Sequence, residues 1–300
     1  MGMDAVYFTP AITLFHEDGR LDLVSQKKLY DNLIENGIDG ILVEGSSSEF
    51  FAMNMEQRKT MAKFAIDAIC SRVKLVIGTT SMVADETVSF SNFCLKNGAD
   101  AVMILPPYYF QFGSEALFQY YDRLASMIDG PMYLYNFPQN TGCTIPAETV
   151  LELAEAHGNI IGIKDTIAGM DHTRMLIELV KGKIPSFEIY SGYDDNFAHN
   201  VLSGGNGCIG SLSNVVPAVC ADWVKAIRKN DIEGIAKGQK IINRLMRLYT
   251  IRSPFLPVLK EALKLQGVAT SSTSTFPMPD ATAEDDAKIL ELLRPGCNGF

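Results

Sequence analysis

A lysine and a tyrosine stand at the ends of two short apolar runs. Lys164 follows Ile160–Ile163, and Tyr135 ends Met132–Tyr135. In a strand, Gly162 and Lys164 share one face, which we expect to point into a dry interior that favours a neutral amine. A neutral amine forms Schiff bases with carbonyl compounds, and a phenol can transfer protons. Two other roles stay open at this point, a Lys164–Asp165 ion pair and a packed core tyrosine.

Other polar groups also follow apolar runs. Residues 45–49 read Gly-Ser-Ser-Ser-Glu and could hold a carboxylate through hydroxyl and N–H groups, although serine is also common in ordinary turns. Residues 106–110 read Pro-Pro-Tyr-Tyr-Phe, which predicts a rigid loop whose rings serve an oligomer contact, a pocket rim or plain packing. Glu44, Asp165 and Asp194 could hold Mg²⁺, or act as surface charges or hydrogen-bond acceptors.

Composition excludes several classes of protein. The 26 basic and 35 acidic residues give a net charge of −9, which argues against a nucleic-acid partner. The apolar fraction of 47% predicts a large core rather than a disordered chain. The longest apolar-rich stretch, Ala101–Phe112, is shorter than the roughly 20 residues of a membrane-spanning helix. The N-terminal residues lack the features of a signal peptide, so no membrane partner is expected.

Metal sites and disulfides are not expected either. The four histidines show no H-E-x-x-H spacing, so we predict no zinc site. The cysteines form no C-x-x-C pair, which in a chain of this size predicts reduced thiols and a cytoplasmic protein. They lie at positions 70, 94, 143, 208, 220 and 297.

The elements that must position these residues alternate regularly. Short apolar runs bounded by Gly, Pro, Ser or Asn predict strands, and the longer segments between them have helical periodicity. Eight strands joined by helices pair in parallel, and their number favours a closed (β/α)8 TIM barrel over an open doubly wound sheet. The predicted strands are Ala5–Ile12, Gly40–Val43, Lys74–Ile77, Ala101–Leu105, Met132–Tyr135, Ile160–Ile163, Glu188–Tyr190 and Cys208–Gly210.

The pattern changes after Pro217, where only helices are predicted. We therefore expect a barrel over residues 1–217 and a C-terminal helical extension over residues 218–300, packed together as one structural unit. No Gly/Ser-rich linker separates them. In such a barrel the active site lies at the carboxyl ends of the strands, where the lysine and the tyrosine stand.

The motifs together resemble the dihydrodipicolinate synthase / N-acetylneuraminate lyase family of pyruvate-handling class I aldolases. The resemblance runs from about Ala5 to about Gly267. It covers the serine motif, Pro-Pro-Tyr-Tyr, Tyr-Asn-Phe-Pro, Gly-Ile-Lys-Asp and Ser-Gly-Tyr-Asp-Asp, in family order. Several motifs in one register are more specific than any single one. The resemblance implies a (β/α)8 barrel, usually as a homotetramer, that acts on a small 2-oxo acid without metal or organic cofactor.

The resemblance also implies catalytic roles. Lys164 would be the Schiff-base lysine, and Tyr135 would be the proton-shuttling phenol. Ser47 stands at the relay hydroxyl position, where threonine is usual, and Tyr109 would complete the relay across a dimer interface. The backbone N–H groups of Ser46 and Ser47 would bind the pyruvyl carboxylate.

Further residues fall where the family contacts its substrate. Gly192 and Ile209 correspond to positions that line the pyruvate pocket. Asp194, Asp195 and Ser211 lie in segments that look like those with which sialic acid lyases hold a hydroxylated tail. We expect these three side chains to recognise substrate hydroxyl groups.

Asn140 stands where dihydrodipicolinate synthases usually carry an arginine for the aldehyde's carboxylate. An asparagine lacks the charged bidentate fork of arginine, which counts against dihydrodipicolinate synthesis. The segments 134–138, 159–167 and 192–195 look closest to bacterial 2-keto-3-deoxy-sugar-acid aldolases. The sequence therefore predicts a reversible aldol lyase that cleaves such a sugar acid to pyruvate and an aldehyde.

Several alternative functions stay open. Within the family they are dihydrodipicolinate synthase, N-acetylneuraminate lyase and 4-hydroxy-2-oxoglutarate aldolase, which also resembles this chain at position 140. Outside the family, Glu44, Asp165 and Asp194 suit a magnesium-dependent lyase. A non-catalytic regulator that binds sugar acids is a further alternative.

Overall fold

The structure, a computed structural model, describes residues 3–294. Eight strands form a closed barrel in chain order, and the neighbouring strands pair in parallel. The predicted barrel is therefore confirmed. The strands are β1 (Val6–Pro10), β2 (Gly40–Val43), β3 (Lys74–Gly78), β4 (Ala101–Ile104), β5 (Met132–Asn136), β6 (Ile160–Asp165), β7 (Glu188–Ser191) and β8 (Gly207–Ile209).

Helices follow every strand, and more of them complete the C-terminal region. The barrel helices are α1 (Leu23–Glu35), α2 (Met55–Ile69), α3 (Ala84–Asn97), α4 (Ser114–Met127), α5 (Pro138–Thr141), α6 (Ala147–Ala156), α7 (Asp171–Leu176), α8 (Phe197–Leu202) and α9 (Pro217–Arg228). The last three are α10 (Ile232–Leu245), α11 (Leu256–Leu265) and α12 (Ala283–Leu293). None of the helices within residues 3–294 is both long enough and apolar enough to cross a lipid bilayer.

The helix ends follow from local chemistry. Asn54 and Gln57 form a reciprocal capping box at the start of α2, and Thr282 and Asp285 form another at α12. Gly98 ends α3 at a φ of 115°, a left-handed conformation that glycine adopts without a Cβ clash. The short helix α5 begins with Pro138 and ends just before Gly142. Proline and glycine at these places mark the two ends of a helix, but the apolar periodicity of the sequence did not predict this one.

The chain divides into two compact units, Met1–Lys74 with Gly210–Phe300, and Leu75–Ile209. In the first, the Trp223 indole of α9 donates to the Ile235 carbonyl of α10 at 3.0 Å. Arg228 of α9 also donates to the carbonyl of Ala5, the residue just before β1, at 2.9 Å. The predicted boundary between residues 217 and 218 stays a prediction.

The cysteines that the structure describes, at positions 70, 94, 143, 208 and 220, form no disulfide with one another. The reduced state of the thiols stays a prediction. Cys297 lies outside the described residues.

Candidate active site

Lys164 and Tyr135 face each other on adjacent strands. The register of β5 and β6 places the two residues opposite one another, and each side chain is only 4% exposed. The Lys164 ammonium nitrogen lies 4.4 Å from the centroid of the Tyr135 ring. The structure therefore brings together the amine and the phenol that the sequence singled out.

The interior beneath Lys164 is filled by tyrosine rings. Gly162 is buried, and a Cβ added there would come within 2.8 Å of the Tyr133 ring and would overlap the Glu188 carbonyl. The Glu188 carboxylate accepts hydrogen bonds from the hydroxyls of Tyr133 and of Tyr190. Because Gly162 has no side chain, there is room in the barrel beneath Lys164, and the Tyr133 ring occupies it.

Asp165 pairs with a histidine rather than with Lys164. Its carboxylate accepts hydrogen bonds from Asn136 at 2.7 Å, from Thr173 at 2.6 Å and from His172 Nδ1 at 3.1 Å. None of the ion pairs within residues 3–294 includes Lys164. The alternative interpretation of Lys164 as the partner of Asp165 is therefore wrong. Alternation along β6 explains this, since adjacent side chains point to opposite faces.

Both ring nitrogens of His172 lie against oxygen acceptors. Its Nδ1 faces the Asp165 carboxylate and its Nε2 faces the Ile145 carbonyl at 3.0 Å, an arrangement that suits the imidazolium form, which donates from both nitrogens. Burial lowers the pKa of His172, but the hydrogen bond and charge of Asp165 and the Ile145 carbonyl raise it above its usual value overall. Asn136 also accepts the Ile145 N–H at 3.0 Å. This network behind the strand ends was not predicted.

The serine motif forms a one-turn helix after β2. Ser46–Ser48 adopt 3₁₀ geometry, and the Ser48 hydroxyl donates to the Ala11 carbonyl at 2.6 Å. The hydroxyls of Ser47 and Ser211 are hydrogen-bonded at 2.7 Å. The structure thus joins two side chains to which the sequence assigned separate roles, the relay and the recognition of substrate hydroxyls.

Tyr109 lies in the exposed aromatic loop after β4. It is 88% exposed, and its φ of 92° is strained for a residue with a side chain. The ring of Phe110, which is 68% exposed, packs edge-on against it at 5.1 Å. These two rings are therefore not packed in the core, which leaves the oligomer contact and the pocket rim as their predicted roles.

Thr166 is a candidate that the sequence analysis missed. It directly follows the last residue of β6, two residues after Lys164, and its N–H donates to the Asn136 carbonyl at 2.8 Å. Its hydroxyl is buried, has no hydrogen-bond partner among the described residues and occupies the space that a Cβ at Gly192 would need. A buried hydroxyl without a partner is costly, which suggests a partner on a bound molecule.

The remaining predicted residues differ in exposure. Asp194 and Ile209 are buried, whereas Asp195 is half-buried and burial raises the pKa of its carboxyl group. Asn140 is exposed on α5. Its neighbour Gln139 accepts a hydrogen bond from the Tyr193 hydroxyl at 2.9 Å, which joins α5 to the segment after β7.

The carboxylates considered for magnesium have other partners. Arg58 Nε donates to the Glu44 carboxylate at 2.6 Å in a buried ion pair, and Asp165 is engaged with His172. The described residues contain no group of three His, Cys, Asp or Glu side chains arranged to hold a metal ion. The magnesium interpretation thus loses two of the carboxylates on which it depended.

The sequence matches the dihydrodipicolinate synthetase family over residues 5–295. The chain belongs to this family. The prediction made from the motifs is thus confirmed. Lys164 and Tyr135 lie at the carboxyl ends of barrel strands. Enzymes with this barrel fold have their active sites at that end.

Two proteins of Escherichia coli K12 are similar to this chain over most of its length. The chain is 37% identical to the putative 2-dehydro-3-deoxy-D-gluconate aldolase YagE, which covers 94% of this chain and 93% of the relative. It is 34% identical to the probable 2-dehydro-3-deoxy-D-pentonate aldolase YjhH, with coverages of 95% and 94%. The crystal structure of YagE in complex with pyruvate aligns with a TM-score of 0.93 at 36% identity, over 96% of this chain and 97% of that one. These names agree with the predicted class of aldolase.

Proposed function

We propose that this protein is a reversible class I aldolase that cleaves a 2-keto-3-deoxy sugar acid to pyruvate and an aldehyde. The observation that carries the proposal is the buried Lys164 amine, which lies over the Tyr135 ring and has no carboxylate partner among the described residues. A lysine amine attacks a carbonyl carbon to form a Schiff base, and a paired carboxylate would oppose that attack.

The reaction begins when Lys164 Nζ attacks C2 of the 2-oxo acid and water leaves to give an iminium. The Tyr135 phenol gives its proton to the departing water, and the resulting phenolate then takes the proton of the C4 hydroxyl group. The C3–C4 bond breaks, its electron pair moves into the iminium to form a neutral enamine, and the aldehyde departs. Tyr135 then gives its proton to C3 of the enamine, and water adds to the iminium that results. Collapse of this adduct releases pyruvate and restores the Lys164 amine, and the proton set free by the addition of water returns to Tyr135.

Other residues receive their roles from the family resemblance. We propose that the backbone N–H groups of Ser46 and Ser47 bind the carboxylate, and that Ser47 and Tyr109 act as relay hydroxyls. The exposure and strain of Tyr109 favour a contribution to a neighbouring copy, in a homotetramer. We also propose a cytoplasmic enzyme that uses no metal or organic cofactor.

The proposed substrate rests on three observations. Both Escherichia coli relatives are named as aldolases of 2-dehydro-3-deoxy sugar acids. Asn140 cannot supply the charged fork of an arginine. The buried Thr166 hydroxyl needs a partner, and with Asp194, Asp195 and Ser211 it forms our proposed set for substrate hydroxyls, while Gly192 and Ile209 line the pyruvate pocket.

Borohydride trapping tests this proposal. With pyruvate and sodium borohydride, the protein should gain one reduced pyruvyl group, and peptide mapping should place it on Lys164. Lys164→Ala should lose both the adduct and the activity by several orders of magnitude. The matched control Lys183→Ala, at an exposed lysine, should retain both. An active Lys164→Ala variant would eliminate the mechanism.

A panel of 2-oxo acids then identifies the substrate. Pyruvate release from five- and six-carbon 2-keto-3-deoxy sugar acids should exceed release from N-acetylneuraminate or 4-hydroxy-2-oxoglutarate. Condensation of pyruvate with aspartate semialdehyde should be slow. Fast condensation would instead identify a dihydrodipicolinate synthase, and binding of sugar acids without turnover would indicate the regulator.

A further inference from the structure

A buried ion pair joins the serine loop, residues 45–49, to the C-terminal region. Glu49 ends this loop, Lys260 lies on α11, and the two side chains form an ion pair in which both are 0% exposed. Desolvation of two charges offsets most of the attraction between them, so such a pair adds little stability by itself. Its main effect is on the geometry of the segments that it joins.

The same two side chains bind the loop that connects α11 and α12, residues 266–282. Glu49 Oε2 accepts hydrogen bonds from the Thr275 N–H and the Thr275 hydroxyl, both at 2.7 Å. Lys260 Nζ donates to the Thr273 carbonyl at 2.9 Å and lies 4.5 Å from the centroid of the Phe15 ring. The α11–α12 loop is thus attached to both members of the pair.

The backbone at Glu49 explains why this attachment matters. Glu49 has φ 58° and ψ 32°, a left-handed conformation that is unfavourable for residues other than glycine. It stands between two one-turn helices, Ser46–Ser48 and Phe50–Ala52, and its N–H donates to the Ser46 carbonyl at 3.2 Å. Glycine would adopt this conformation more easily, so contacts of the glutamate side chain must hold it.

We infer that Glu49 and Thr275 are positioning residues for the carboxylate of the 2-oxo acid. Together with Lys260, these two residues hold the serine loop in the conformation in which the N–H groups of Ser46 and Ser47 bind that carboxylate. This inference rests on the proposed function, because it takes the serine loop as the carboxylate site. Loss of a contact to Glu49 therefore weakens substrate binding, but it leaves the chemistry of Tyr135 on β5 and Lys164 on β6 unchanged.

Thr275→Val tests the inference, with Thr273→Val as the matched control. The first variant removes one hydrogen bond to Glu49. The second removes only the 2.8 Å hydrogen bond of the Thr273 hydroxyl to Ser271 and keeps the carbonyl that binds Lys260. The pyruvate concentration that half-saturates borohydride trapping should rise about fivefold in Thr275→Val and stay at the wild-type value in Thr273→Val. The trapping rate at saturating pyruvate should change by less than about twofold, a split that general destabilisation would not give.

A second variant addresses the ion pair itself. Glu49→Gln alone leaves a buried lysine without its carboxylate and invites misfolding. The double variant Glu49→Gln/Lys260→Met removes both charges, should fold, and should raise half-saturating pyruvate about tenfold.

The outcomes separate the two proposals. If the wild-type protein traps pyruvate on Lys164 but Thr275→Val and the double variant show unchanged half-saturation, the positioning role is overturned and the aldolase stands. If the saturated rate falls while half-saturation does not move, the positioning role is also overturned. If the wild-type protein forms no adduct on Lys164, both proposals fall together.

Discussion

Lys164 combines a buried amine with an aromatic neighbour and no opposite charge. A partner carboxylate would stabilise the ammonium form and oppose its use as a nucleophile. The nitrogen of Lys164 instead lies 4.4 Å from the centroid of the Tyr135 ring. The side chain that could have neutralised it, Asp165, is turned to the other face of β6 and held there by His172.

Replacement of Gly162 tests how the barrel interior is packed beneath Lys164. In Gly162→Ala the new methyl group would press on the Tyr133 ring and overlap the Glu188 carbonyl, a backbone atom that cannot rotate away. We expect a loss of about 3 kcal/mol in the free energy of unfolding, measured by urea denaturation, because overpacking of this kind forces strands to shift.

Gly158→Ala is the matched control for this substitution. Nothing lies within 4 Å of a Cβ at Gly158, and its backbone does not need a positive φ. Its stability should stay within about 0.5 kcal/mol of the wild type. Equal stabilities of the two variants would mean that the tyrosine ring does not fill the space beneath Lys164.

At the scale of elements, β5 and β6 end in a shared polar network. Asn136 and Asp165 are opposite one another in the register and are bonded through their side chains. They directly follow Tyr135 and Lys164 in sequence, so the network fixes the strand ends that carry the proposed catalytic pair. His172, from α7, adds the positive charge that the Asp165 carboxylate needs in a buried place.

This network predicts a pH dependence of stability. The folded-state pKa of His172 is raised, so its contribution is fully present below the unfolded value of about 6.5 and is lost as the pH rises through the folded pKa. We expect the free energy of unfolding, measured in urea, to fall from pH 6 towards pH 9. His172→Gln should be about 2 kcal/mol less stable at pH 6 and should lack this pH-dependent component.

His199→Gln, at an exposed histidine of α8, is the control and should keep the wild-type slope. Parallel pH profiles for the wild type and His172→Gln would show that His172 is not the titrating group. The charges of Asp165 and Asp171 both raise the pKa of His172, so Asp165→Asn should reduce the slope as well.

The sequence predicted the elements better than the contacts between them. Short apolar runs located all eight strands, but β6 runs beyond Ile163 to Asp165. Lys164 pairs there with Tyr135 on one side and with Tyr190 on the other. Such pairing is not visible in local periodicity. Likewise Asn136 and Asp165 are 29 residues apart, and only the register of β5 and β6 joins them.

The candidate site was predictable where side-chain type and strand position coincided. Lys164, Tyr135 and the serine motif all followed apolar runs, and their chemistry is unusual at such places. Thr166 had the same position but an ordinary residue type, and only its unpartnered buried hydroxyl distinguishes it. The Glu49–Lys260 pair joins residues that are far apart in sequence, so no local pattern could have revealed it.

The aromatic loop after β4 is the basis of the proposed assembly of the whole molecule. Tyr109 and Phe110 expose large rings, and Tyr109 does so in a strained backbone conformation. A strained backbone conformation persists when surrounding contacts hold it in place. Contacts with a second copy of the chain, which would also bury the exposed rings, would do this. If Tyr109 serves the site of a neighbouring copy, isolated chains should bind pyruvate but turn over slowly.

Subunit mixing tests whether Tyr109 acts on the neighbouring copy. Tyr109→Phe keeps Lys164, whereas Lys164→Ala keeps Tyr109, and each variant alone should be nearly inactive. In mixed dimers one site of the two regains both groups, and half of the dimers in an equal random mixture are mixed. The mixture should therefore recover about a quarter of the wild-type activity. If Tyr109 served the site of its own chain, every site would still lack one group and the mixture would stay inactive, so recovery on mixing distinguishes the two arrangements without any knowledge of the interface.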